Sequence, residues 1–239
     1  VRDALEALRL GFAAVEEMLR WDKDGSEGMP VPDAERPRVA ALRSGAMVLI
    51  VAYFQAFLRD LASGFVREIN RLSEARWQSL PGALRQIVLR RMVDDLGGAL
   101  KTDVTGFPSK EADVLHRLGQ YVGMVSGTGA LRLDDDLFGK LEGNPGSAVV
   151  TDLLGDMGIP HVFDGRAPMK EALDGIVNRR NQFAHGWSSL GRTPQDIKSD
   201  MEVLRDVARL AVDAVEKVLA SVRGTPESAA DKSSEGGLA

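Results

Sequence analysis

The chain has 239 residues, 44% of them hydrophobic and 27% charged, with a formal net charge of −5 and no cysteine. This composition fits a packed globular protein and argues against wholesale disorder. It excludes a disulfide scaffold, a zinc–thiolate site and a cysteine nucleophile, and the acidic balance argues against a long basic groove for nucleic acid.

Residues 1–21 place Leu5, Leu8, Leu10, Phe12, Val15, Met18 and Leu19 largely at three- and four-residue spacings, which predicts an amphipathic helix. Its charge alternation lacks the apolar centre of a signal peptide. "KDGSEGMPVPD" (23–33) then breaks the pattern with glycines and prolines. Residues 37–72 read as a long helix opened by Pro37. Its stripe runs from Val39 to Ile69, and it is apolar nearly all round between 46 and 58. That apolar run is shorter than the roughly 20 residues a bilayer requires. Arg43 and Arg59 flank it and Gln55 interrupts it, so it reads as a core helix rather than a membrane span.

A third helix is expected from Pro81 to Leu96, with "DDLGGAL" ending it, and a short one over 109–124. "SGTGALRLDDDLFGKLEGNPGS" (126–147) is loop-rich and has no sustained two-residue period; a strand-like piece within it stays open. "SAVVTDLLGDMGI" reads as a compact helix ending in glycine, and Pro168 opens the next. Thr193-Pro194 is a cap followed by a first-turn proline, and it starts a last helix of about 28 residues. The tail, residues 224–239, is small and polar and is expected to be disordered. The expectation is therefore an all-α bundle of six or seven helices in one domain, residues 1–223. Internal repeats, dinucleotide-binding glycine fingerprints and phosphate-binding loops are absent from the sequence.

The densest chemistry lies in "DGIVNRRNQFAHGW" (174–187), which holds one of only three histidines. Residues 164–198 carry six Lys or Arg against four Asp or Glu, a local positive excess within a negative chain. On a helix, Leu173, Ile176, Val177, Arg180, Phe183, Ala184 and Trp187 form one stripe, so Arg180 stands in the middle of an apolar face. There it must snorkel, pair or line an interface, because an isolated buried charge is costly. Asp174, Asn178, Asn181 and His185 form a neighbouring polar stripe. An ideal helix sets Arg180 and His185 about 140° apart. Either the helix stops before His185, which Gly186 would allow, or another element or subunit completes the site. Guanidinium, carboxamide and imidazole suit phosphodiester chemistry. Arginine binds phosphate in a fork and stabilises developing charge, and histidine moves protons near neutral pH. A capping and ion-pair arrangement at a helix end is the structural alternative.

Other candidates carry less. His116 sits on a helix with no ligand at metal-binding spacing, and His161 follows a proline in a loop. Asp134 to Asp136 lack calcium-loop spacing and read as a solvated turn or helix start. Arg85, Arg90 and Arg91 could line an RNA path but also suit a solvated helix face. Aromatic residues at 5% argue against a base-stacking platform.

"RRNQFAHG" resembles the signature of the HEPN superfamily: an arginine, a polar residue, a few variable positions, then a histidine. The run "NPGSAVVTDLLGDMGI … LDGIVNRRNQFAHG" is most similar to RiboL-PSP-type HEPN domains, and "AYFQAFLRDL" resembles the family's early core helix. The resemblance implies an all-α homodimer acting as a metal-independent endoribonuclease that leaves 2′,3′-cyclic phosphate ends. It implies catalytic residues Arg180, Asn181 and His185, with Arg179 a neighbour, no cofactor and no bound metal. RNA is the implied partner, an antitoxin or regulatory protein a further one, and a toxin or defence effector in the cytoplasm the implied role. The alternative reading is a non-catalytic helical module that binds a nucleotide, RNA or a protein partner.

Overall fold

The computed structural model describes residues 1–22, 34–72, 76–101, 108–139, 144–184 and 192–224. Among the described residues there are seven α-helices, one short 3-10 turn (Trp77–Ser79) and no strand: α1 (Arg2–Leu19), α2 (Arg36–Arg71), α3 (Gly82–Lys101), α4 (Pro108–Ser126), α5 (Ser147–Asp156), α6 (Ala167–Ala184) and α7 (Pro194–Arg223). The all-α expectation holds.

The centre is α2, packed by α1, α6 and α7. Phe54, Phe57, Leu58, Leu61 and Phe65 are wholly enclosed. By length and composition α2 is also the one helix among the described residues apolar enough to cross a membrane. Its apolar faces are taken by other helices, so it serves as the core helix of the bundle. One edge stays open, at Leu49 and Ala52. At the α1 crossing the Tyr53 ring lies where a side chain on Gly11 would begin, 2.5 Å from the ideal Cβ position, so the approach requires glycine.

Arg43 does more than flank the apolar run. It is buried and paired with Asp22 through Nε to Oδ2 at 2.6 Å. The pair ties the chain just beyond α1 to the first third of α2.

Two expectations about helix ends resolve differently. Gly97 and Gly98 do not stop α3, which continues to Lys101. A mid-helix glycine costs only about 1 kcal/mol relative to alanine, and neither residue adopts the positive φ of a C-terminal cap. At α5 the glycine does stop the helix. Gly158 takes φ +94°, its N–H donates to the Gly155 carbonyl at 2.9 Å, and the Ile159 N–H donates to the Leu154 carbonyl at 2.7 Å. This bond pattern is the Schellman motif. The described part of the α4–α5 connection runs without strand pairing. The Asn70 carboxamide donates to the Leu133 carbonyl at 2.8 Å and accepts from its N–H at 2.7 Å, doing for that segment what a neighbouring strand would do.

Candidate functional site

The rotation of α6 about its own axis is set by Leu173, Ile176 and Val177, which are buried in the core. That rotation places two consecutive arginines at the edges of the buried face, both half-buried. Their partners differ in charge.

Arg179 reaches across to α7 and donates from Nη2 to Asp200 Oδ1 at 2.8 Å. Asp200 is itself buried, and its other oxygen accepts from Arg192 Nη2 at 2.6 Å. One carboxylate thus holds two guanidinium groups. Gly175 makes room for this, since a Cβ there would stand 3.1 Å from Arg179 Nη1. Arg192 immediately precedes the cap of α7. Thr193 Oγ1 accepts from the Asp196 N–H at 3.1 Å, and Asp196 Oδ2 accepts from the Thr193 N–H at 2.8 Å, a reciprocal capping box. These bonds hold the Asp196 carboxyl below the usual carboxylate range, the Thr193 backbone N–H being the main cause.

Arg180 turns the other way. Its Nη1 donates to Asn144 Oδ1 and to Asn181 Oδ1, both at 3.2 Å. Among the described residues no carboxylate pairs with it, so its charge is balanced only by amide dipoles. The buried side-chain nitrogens without a hydrogen-bond partner among the described residues are the Nε atoms of Arg179, Arg180 and Arg192. Buried polar atoms are normally satisfied. All three exceptions therefore lie in the second half of α6 or just ahead of α7.

The sequence-derived residues are brought together in part. Arg180 and Asn181 are in direct contact. Arg179 belongs to the Asp200 cluster. His185 lies outside the described residues, as do Gly186 and Trp187. Asp174, read as part of one polar stripe with His185, instead accepts from the Ser147 N–H and Oγ, both at 2.7 Å, at the start of α5. Asn144 and Asp200 escaped the sequence reading. Asn144 belongs to "NPGS" (144–147), whose composition signals only a loop, and Asp200 lies on a helix with no local sign of its distant arginine.

The remaining candidates stay outside this cluster. His116 is exposed and bonds Gln120 at 2.9 Å, and His161 is exposed beside Asp164 at 3.5 Å. Asp134 and Asp136 border an exposed turn, and no group of three or more potential metal ligands occurs among the described residues. Arg91 bonds the Asp136 carbonyl at 3.0 Å and so serves the turn that carries these acids.

Compared with known families, residues 23–217 match RiboL-PSP-HEPN. No curated protein and no solved structure gives a match.

Proposed function

The chain belongs to the RiboL-PSP-HEPN family, and on that premise we propose that it is an endoribonuclease that cuts RNA without a metal ion. The observation that carries this reading is the contrast between the two arginines. Arg179 is ion-paired with Asp200, while the partners of Arg180 among the described residues are two neutral amides. A guanidinium held this way suits the non-bridging oxygens of a phosphodiester and the charge that grows on them in the transition state.

In the reaction the 2′-OH attacks phosphorus and the bond to the 5′ oxygen breaks. The 2′-OH gives its proton to a base, the 5′ oxygen receives one from an acid, and a 2′,3′-cyclic phosphate remains. Arg180 binds the phosphate, Asn181 orients it and His185 transfers protons. One histidine cannot serve as acid and base in the same step, so a second copy of the chain in a symmetric dimer supplies the other. The role that fits such an activity is a toxin or defence effector of the cytoplasm, restrained by an antitoxin or regulatory protein.

The test is cleavage of total cellular RNA in EDTA, wild type beside His185→Ala, with the product ends identified. Cyclic-phosphate ends from the wild type alone are expected. Equal cleavage by both proteins overturns the assignment of His185. Binding of RNA or a nucleotide with no cleavage by the wild type would make the protein a non-catalytic binding module.

A further inference from the structure

The two amides at Arg180 are constrained by simple donor counting. A guanidinium donates and never accepts, so the carboxamides of Asn144 and Asn181 must each turn their oxygen toward it. This leaves both Nδ2 groups on the far side of their amides, and neither has a partner among the described residues. The set is a guanidinium and two amides whose NH2 groups have no partner among the described residues. Apart from a second lone pair on each amide oxygen, the groups of the set without a partner among the described residues are donors. A ligand rich in acceptors suits them, and a phosphodiester oxygen pair is such a ligand.

Asn144 is not adrift on its turn. The Gly146 N–H donates to the Asn144 carbonyl at 2.8 Å, Pro145 is buried, and Ser147, just beyond Gly146, gives both its N–H and its hydroxyl to Asp174. A side chain on Gly146 would begin 3.0 Å from Asp174 Oδ1, so glycine leaves the carboxylate its room. Asp174 and Arg180 lie on the same helix. That helix therefore carries both the arginine and the carboxylate that places the arginine's partner.

We propose that Asn144 is a further substrate-contacting residue, its amide NH2 joining those of Asn181 and Arg180 on the phosphate of the RNA, and that Asp174 is the positioning residue that holds it there. This rests on the reading of Arg180 as the phosphate-binding group. An asparagine suits the position because an aspartate would pair with Arg180 and cancel its charge.

The experiment is the affinity of the full chain for a short single-stranded RNA with 2′-O-methyl riboses throughout, which cannot be cleaved, measured across salt concentrations. Asn144→Ala removes a neutral donor and should weaken binding about tenfold with the salt slope unchanged. Asn144→Asp should weaken it further and flatten the slope by about 0.7, the share of one phosphate contact, as Arg180→Ala does. Asp174→Ala should match Asn144→Ala, and the double variant should be no weaker than either alone. Asp174→Asn, which can still accept from the Ser147 N–H and donate to its hydroxyl, should bind like wild type. Wild-type binding by Asn144→Ala and Asn144→Asp, with Arg180→Ala impaired, overturns the role of Asn144 while the reading of Arg180 stands. Wild-type binding by Arg180→Ala overturns both. Additive losses in the double variant overturn the role of Asp174.

Discussion

Asp200 holds Arg179 at 2.8 Å across the α6–α7 crossing, and with its second oxygen it holds Arg192 at 2.6 Å. The carboxylate is buried, and its loss takes the ion-pair partner from Arg179 and leaves Arg192, among the described residues, only the longer ion pair with Asp196 at 4.0 Å. Asp200→Ala is expected to cost about 3–5 kcal/mol, the range for breaking a buried ion pair by removing one side. Urea unfolding measures it. A loss within the error of the wild type would mean that the cluster contributes nothing to the fold.

The neighbouring arginines should separate stability from function. Arg180→Ala removes a group with a buried, unsatisfied Nε and no carboxylate partner among the described residues. Its cost in stability should stay below about 1 kcal/mol, while RNA cleavage falls by about two to three orders of magnitude, the range for loss of one donor to transition-state charge. Arg179→Ala should do the reverse. It should lower stability by about 1–3 kcal/mol and leave most of the cleavage rate of the folded protein. Paired melting curves and single-turnover rates decide the matter. Equal loss of cleavage in both variants, with melting temperatures unchanged, would refute the division of labour.

The Asp22–Arg43 pair is more deeply enclosed than the Arg179–Asp200 pair, with side-chain exposures of 0% and 3%. Arg43→Met alone should cost about 3–5 kcal/mol because the Asp22 carboxylate stays buried. Replacing both, Asp22→Leu with Arg43→Met, should recover most of that loss. A chemical-denaturation cycle over the four proteins gives the coupling directly. Additive losses would show that the two side chains act independently.

What could be read in advance divides by distance along the chain. Thr193, Pro194 and Asp196 lie within four residues, so the cap of α7 was visible as a local pattern and forms as such. The apolar spacing of α1, α2 and α6 was equally local, and it gave the helices and the buried face of the motif helix. Gly97-Gly98 and Gly158 show where local reading falters. The same residue type runs through one helix and ends another, and of the three only Gly158 takes positive φ, where the Schellman bonds close the helix. The site itself depends on longer separations. Arg179 meets Asp200 21 residues on, Asp174 meets Ser147 27 residues back, and Arg180 meets Asn144 36 residues back. No periodicity encodes those meetings. Only the packing of α5, α6 and α7 brings them about.

Gly158 can be tested by a single methyl group. At φ +94° a Cβ is strained, and it would stand 2.5 Å from Pro81 Cβ. Gly158→Ala should therefore destabilise by more than the roughly 1 kcal/mol of left-handed strain alone. The loss should appear as a lower thermal midpoint without loss of RNA binding, since neither Gly158 nor Pro81 contacts the arginines. A variant as stable as the wild type would show that the α5 terminus is not held in this conformation.

The cap of α7 gives the acid limb of stability a specific origin. The Asp196 carboxyl is held below its ordinary value, chiefly by the Thr193 backbone N–H and then by its hydroxyl, with Arg192 adding attraction. A folded-state value below the unfolded one means that the unfolded chain binds the proton more readily. The stabilisation is then complete above the unfolded value of about 3.9 and disappears as pH falls through the lower folded value. A carbon-detected NMR titration of Asp196 should give a midpoint below 3.9 in the wild type. Thr193→Ala should keep part of the depression, because the backbone N–H that dominates it survives, while the cap itself weakens by about 0.5–2 kcal/mol. The Asp196→Asn variant should lose this contribution to the acid dependence altogether. A wild-type midpoint at or above the ordinary carboxylate value would mean that the reciprocal cap does not form in solution. Arg192, the residue just ahead of that cap, would then lack the anchor that sets it beside Asp200.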